Sequence, residues 1–156
     1  MFQKTPYFYV IFVIGWTFGA SNSALLFTSF AGLVRSRYRR RLAAAASVIS
    51  WVVLVAGTLC LLCYLKEIAV TYYSSNPFER FTFFHARFGG YYSFFFWLDI
   101  IGNRLAPQLF WFRRCRTNLW WAFGIALVIT VSLNAESVLV YFTTQSQDFL
   151  PSSWKR

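Results

Sequence analysis

The length of the uninterrupted apolar runs constrains this sequence more than any other feature. Four runs matter, because a helix needs about 20 mostly apolar residues to cross a hydrocarbon layer about 30 Å thick. They cover residues 6–34, 42–67, 91–112 and 118–142. Hydrophobic residues make up 58% of the chain, above the roughly 45–50% of soluble domains. A soluble fold of this size would leave much of that surface in water.

The runs lack the alternation of apolar and polar residues that a transmembrane β-strand shows. Since only helices and closed barrels satisfy their backbone groups in lipid, the sequence predicts an all-α, integral membrane four-helix bundle. We expect one transmembrane domain, residues 1–156, with a loop at 74–90 and a tail at 143–156. The first run exceeds the ~7–15 apolar residues of a signal peptide, and no small-residue cleavage site bounds it, so we expect a retained helix.

The chain is strongly basic, with a formal net charge of +10 at pH 7. Its arginines gather in two connections between predicted helices and not on one exposed face, which argues against nucleic acid as a partner. Because positive connections stay in the cytoplasm, we expect a multi-pass membrane protein with both termini and the second loop on the opposite side. Lys66, Arg80 and Arg87 in or near that loop weaken this bias. The two connections carry Arg35, Arg37, Arg39, Arg40 and Arg41, and Arg113, Arg114 and Arg116.

This sequence contains few residues that could bind a redox cofactor. Haem b between helices usually needs two axial His ligands, and the single His, His85, falls in the predicted loop. Cys60 and Cys63 form a CxxC pair on an apolar helix and Cys115 stands apart, which does not amount to a four-thiolate cluster or a zinc site. We therefore expect structural cysteines, no metal site and no cofactor bound by this chain.

Ionisable residues inside the apolar runs are the sharpest functional signal, because each costs about 2.5–3.5 kcal/mol on insertion scales unless it is paired or hydrated. Asp99 and Asn103 share a helix face, and Arg104 is offset but within reach of Asp99. Two interpretations stay open: a structural Asp99–Arg104 pair that locks helix packing, or a polar pocket or proton path. Glu67 and Glu136, both towards the non-cytoplasmic side, are further candidates, although Glu67 could equally be a solvated interfacial residue.

Two features concern helix packing. Pro107 interrupts the third run and frees a backbone carbonyl near Asn103, so we expect a bend there. Small residues in the first run, including Gly15 and Gly19, permit close approach of a neighbouring helix.

Three separated blocks resemble the NrfD / polysulfide-reductase membrane subunit family, which includes the quinol-oxidising membrane subunits of alternative complex III. The blocks are residues 73–83 (YSSNPFERFTF), Asn103 with residues 107–112 (PQLFWF), and Glu136 with residues 148–154 (DFLPSSW). Glu67 also falls where the family has a helix-end Glu. The resemblance is good over residues 67–154 and weak before them. The residues that match the family motifs include Glu79, Pro107, Asp148, Pro151 and Trp154.

Members of that family have about eight to ten helices in two bundles, and this chain resembles the second bundle alone. The resemblance implies a membrane subunit of a bacterial respiratory oxidoreductase complex, which acts as a membrane anchor and half of a proton path. In the family, quinone binds mainly in the first bundle, which this chain does not resemble, so the resemblance implies at most a contact with quinone. It also implies iron–sulfur or haem groups on partner subunits, and a place in the bacterial inner membrane with periplasmic termini. Glu67, Asp99 and Glu136 are then the candidate proton-handling residues, oriented by Asn103 and Arg104.

The sequence departs from the family at Ser137, where the family has Arg after Glu136, and at Ser146 and Gln147, where it has His-Arg. These changes remove positive partners of the acidic residues. Two other functions therefore stay open. One is a small proton-coupled transporter, which needs a membrane-embedded carboxylate; the other is a non-catalytic assembly subunit or fragment.

Overall fold

A computed structural model describes residues 6–73, 77–89 and 93–147 of the chain. Nearly all of these residues are helical. No strand occurs in these ranges. The prediction of an all-α protein is therefore confirmed. The helices are α1 (Pro6–Val34), α2 (Arg39–Tyr72), α3 (Pro77–Gly89), α4 (Ser93–Asp99), α5 (Arg113–Thr117) and α6 (Leu119–Gln147).

Four long segments form the bundle. Three are α1, α2 and α6, and the fourth, here called the broken helix, comprises α4, a π segment (Ile100–Leu105) and a 3₁₀ segment (Ala106–Trp111). Both α1 and the broken helix pack against α2 and α6. Among the described residues, α1 and α2 are long and apolar enough to cross a membrane by length and composition, and α6 contains a shorter apolar stretch, Leu119–Ala135.

The core is a narrow seam of side chains contributed by one face of each long helix. On α1 this face is Phe18, Asn22, Leu25 and Ser29, at helical spacing. The outward faces are equally apolar: Trp16 is 69% exposed and Phe27 is 73% exposed. A helix that is apolar all round is typical of a membrane span or of a helix covered by other subunits.

Pro107 explains why the third long segment is broken. Proline has no N–H group, and its ring clashes with the carbonyl four residues earlier, which here belongs to Asn103. The backbone responds with wider turns before the proline, where Ala106 N–H donates to the Ile101 carbonyl, and tighter turns after it. The expected bend at Pro107 thus takes the form of a π segment followed by a 3₁₀ segment.

The segment expected to be a loop at 74–90 contains helix α3. The sequence signal is a set of aromatic residues three or four apart, and these pack on neighbouring helices. The Phe84 ring lies 6.5 Å from that of Tyr72 on α2, and the Phe88 ring lies 5.5 Å from that of Trp97 on α4. Two other boundaries differ from expectation, because α2 covers 39–72 in place of 42–67 and α6 continues to Gln147.

Close backbone approach occurs at glycines other than those expected. A Cβ placed on Gly15 or Gly19 would meet no atom of the described chain within 4 Å, so these residues do not mark a tight interface. A Cβ on Gly57 would lie 2.6 Å from Pro107 Cβ, and one on Gly102 would overlap Ser132. These two contacts join the broken helix to α2 and α6, and a third, at Gly32, joins α1 to Leu119 of α6, 2.9 Å from the added Cβ.

The two arginine-rich connections lie at the same end of the bundle. A groove there is lined by residues from both, including Arg39 and Asn118. The Arg116 guanidinium lies 4.0 Å above the ring of Trp51 and so attaches α5 to α2. This agrees with the expectation that both connections share one side.

Candidate functional site

A cavity of about 670 Å³ separates the broken helix from parts of α1 and α2 at the end opposite the arginine-rich connections. Its wall on α1 is apolar, whereas the walls on α2 and the π segment carry the polar groups. This division suits a molecule with one polar end and one apolar end, or a chain of water molecules along the polar side. The lining residues are Ile11, Ile14, Gly15, Phe18, Cys60, Cys63, Tyr64, Lys66, Glu67, Val70, Thr71, Asp99, Asn103, Arg104 and Leu133.

Asp99 organises the polar wall of this cavity. One of its carboxylate oxygens, Oδ1, accepts a hydrogen bond of 2.6 Å from Asn103 Nδ2. The other, Oδ2, lies 3.6 Å from Arg104 Nη2. Arg104 also donates from Nη1 to the Cys60 carbonyl at 3.4 Å and lies over the Tyr64 ring, 5.3 Å from its centroid. The guanidinium therefore links the broken helix to α2.

The π segment is what aligns Asp99 with Arg104. In an α-helix, residues five apart point in different directions, and only those three or four apart share a face. A π-helix bonds residue i to residue i+5, so the residue five positions after Asp99 completes the turn and stacks over it. The offset that the sequence predicts for Arg104 is therefore removed, while Asn103 stays on the same face.

Two polar atoms on this wall lack a hydrogen-bond partner within the described chain. Asn103 is only 7% exposed, and its Oδ1 is buried without a donor; Arg104 Nε is buried without an acceptor. The orientation of the Asn103 amide follows from its neighbour, since the Asp99 carboxylate requires a donor facing it. Buried polar groups are normally satisfied. Neither atom is accessible to solvent, so both are exceptions to that rule among the described residues.

The α2 wall places Cys60, Cys63 and Glu67 along one side. Their spacing of three and then four residues puts them on the same helix face. Glu67 is exposed and lines the cavity, beside Lys66. The structure thus brings four of the predicted site residues into one cavity: Glu67, Asp99, Asn103 and Arg104.

Other predicted site residues do not belong to this cluster as far as it is described. Pro107 is buried beside Gly57 and shapes the backbone without lining the cavity. Glu136 lies in α6 and Glu79 in α3, but their side chains are outside the described part of the structure, as are Asp148, Pro151 and Trp154 altogether.

Sequence reasoning missed the residues that support the broken helix. Gln108 Nε2 donates to the Arg104 carbonyl at 3.3 Å, and its Oε1 lies 3.2 Å from both Thr58 Oγ1 and Trp111 Nε1. It also missed Asn22, whose Nδ2 lies 2.9 Å from Thr130 Oγ1 and ties α1 to α6. An amide in an otherwise apolar run was the available signal in both cases.

Neither a group of metal ligands nor a family match adds to this description. Among the described residues, no group of three or more His, Cys, Asp or Glu side chains is placed to hold a metal ion. No protein-family model matches the chain, and no curated protein matches it either. Over the described residues, the fold and site together define an all-α bundle of apolar helices with a cavity that has one polar wall.

Proposed function

We propose that this chain is a multi-pass subunit of a bacterial respiratory oxidoreductase complex that engages the quinone pool. It acts as a membrane anchor and as half of a proton path, and its partner subunits carry the iron–sulfur or haem groups. The observation that carries this proposal is the cavity in which Glu67, Asp99, Asn103 and Arg104 meet. Its motif support is the resemblance of the sequence to the NrfD / polysulfide-reductase membrane subunits.

A membrane location is favoured by the way polar and apolar groups are distributed. The long helices are apolar on their outward faces, which would be unfavourable in water. Eight of the 12 arginines lie in the two connections at one end of the bundle, and the ion pair Asp99–Arg104 lines the cavity. This arrangement suits an inner membrane with the arginine-rich end in the cytoplasm and the termini in the periplasm.

The polar wall supports proton handling. Asp99 is held by Asn103 and Arg104 in a fixed orientation towards the cavity, and Glu67 lies on the wall of the same cavity. A water chain between these carboxylates would let a proton pass along the wall.

Isolation of the chain from its native membrane in a mild detergent tests the complex. We expect it to migrate with subunits that contain iron–sulfur or haem groups. Migration as a small separate protein would contradict the proposal. Proton-coupled transport by that separate protein in vesicles would then establish the transporter alternative.

A cavity-filling pair of variants tests the site. Gly15→Leu adds a bulky side chain at a position that lines the cavity and where a Cβ would meet no described atom within 4 Å. Gly19→Leu is the matched control, since it adds the same side chain at an open position outside the cavity lining. We expect Gly15→Leu to slow quinol-linked proton release by the intact complex while Gly19→Leu leaves it unchanged. Equal rates for both variants would favour a purely structural subunit.

A further inference from the structure

Among the described residues, no acidic side chain pairs with the arginines at the arginine-rich end. Eight arginines occupy the two connections, and none of the five acidic residues falls within 1–66 or 105–135, the stretches that contain those connections. The acidic residue nearest in sequence on α2, Glu67, lies about 39 Å from Arg41 along that helix at 1.5 Å per residue. Attraction across that distance is screened by salt, whose Debye length is about 8–10 Å.

The start of α2 concentrates this charge unfavourably. Three consecutive arginines, Arg39 to Arg41, form its first turn, which contains no acidic residue, and Tyr38 at the N-cap makes no side-chain capping hydrogen bond. A helix N-terminus carries partial positive charge and favours anions. Cations there are destabilising, so an anion bound at this position would relieve the repulsion.

A groove is available for such an anion. It measures about 410 Å³ and runs between the first turn of α2 and the junction of α5 with α6. Arg39 and Arg40 form one polar wall and Thr117 and Asn118 the other, while Ala43 and Leu119 provide its apolar part. Arginine presents its donors in a planar fork that matches phosphate oxygens.

The residues beside the groove favour the phosphate of a lipid over free inorganic phosphate. Trp120 and Trp121 lie next to the groove in the first turn of α6, and they are 65% and 59% exposed. Tryptophan is enriched where lipid headgroups meet acyl chains. A ligand at this position would therefore have its phosphate in the groove and its apolar chains beside the tryptophans.

We propose that this groove binds the phosphate of an anionic phospholipid, held by Arg39 and Arg40. The inference rests on the membrane location in the proposed function but not on the respiratory role. Loss of lipid binding would leave the partner subunits unaffected, and absence of such partners would leave lipid binding intact.

Native mass spectrometry of the full chain, released from nanodiscs, tests the proposal. Discs of phosphatidylcholine alone are compared with discs that also contain phosphatidylglycerol. We expect retention of phosphatidylglycerol, and a rise of at least about tenfold in its apparent Kd in Arg39→Gln/Arg40→Gln, since each arginine near a lipid surface contributes appreciably. Equal retention of phosphatidylcholine would overturn the proposal.

A matched control separates a site from general attraction. Arg113→Gln/Arg114→Gln removes the same charge at the same end, outside the groove lining, and we expect less than about a threefold change. Equal loss in both variants would overturn the proposed site in favour of diffuse attraction. Full displacement of the lipid by millimolar inorganic phosphate would overturn the choice of a lipid ligand. Unchanged thermal unfolding of both variants in phosphatidylcholine discs shows that they are folded.

Discussion

Gly102→Ala should destabilise the bundle where the π segment meets α6. The new Cβ would overlap Ser132 Cβ and Oγ and lie 3.3 Å from the Val128 carbonyl oxygen. A Cβ atom is fixed by the backbone, so no side-chain rotation relieves this overlap and the two segments must separate. Separation also stretches the hydrogen bond of 2.8 Å that Ser132 Oγ donates to the Leu98 carbonyl.

The expected loss is about 2 kcal/mol in the free energy of unfolding. Overpacking costs about 1–3 kcal/mol, and the weakened hydrogen bond costs about 0.5–1.5 kcal/mol. Against these, alanine is a better helix former than glycine by roughly 1 kcal/mol. Gly124→Ala is the control, because its Cβ meets no described atom within 4 Å. We expect that variant to be neutral or slightly more stable.

A compensating change tests the cause of the destabilisation. Ser132→Gly removes both atoms that the Gly102→Ala methyl would overlap. The double variant should therefore be no less stable than Ser132→Gly alone, with a coupling energy of about 2 kcal/mol. The measurement is reversible unfolding in mixed micelles as a denaturing detergent is titrated in. Strict additivity of the two changes, or a Gly102→Ala variant as stable as Gly124→Ala, would refute this reasoning.

Three further outcomes follow from the cavity and its supports. A double-mutant cycle of Asp99→Asn and Arg104→Gln, measured in the same micelles, should give a coupling energy of about 0.5–2 kcal/mol, because the pair is only partly buried. Zero coupling would show that the ion pair contributes nothing to the free energy of unfolding. Gly57→Ala should destabilise by about 1–3 kcal/mol, since its Cβ would lie 2.6 Å from Pro107 Cβ, and unchanged stability would contradict that contact. Cys63 should react with a small maleimide, and mass spectrometry measures the rate. Gly15→Leu should slow this reaction, whereas Gly19→Leu should not. Equal rates in the two variants would argue against a cavity shared by Gly15 and Cys63.

Much of the fold follows from local properties of the sequence. The first apolar run predicts α1 within the bounds that the structure shows, because chain length and hydropathy alone decide such a helix. The arginines between the runs indicate that both connections share an end. Helix α3 was not predicted, because its aromatic residues become a helix face only once α2 and α4 offer rings to pack against.

The candidate site divides in the same way between sequence and structure. The cost of placing ionisable groups in apolar runs singles out Glu67, Asp99 and Arg104 from the sequence. Their meeting in one cavity depends on how α2 and the broken helix pack, which no single run specifies. Likewise, the free thiols of Cys60 and Cys63 line the cavity only because of that packing.

By itself, then, the sequence determined the apolar helices, the segregated arginines and the carboxylates within the apolar runs, since each depends on residue type and spacing along one segment. The tertiary structure decided which side chains of the site lie next to one another. Pro107 prevents a regular α-helix, and close packing at Gly57 and Gly102 holds the broken helix against α2 and α6. The π segment places Arg104 over Asp99, a pairing that α-helical spacing does not provide.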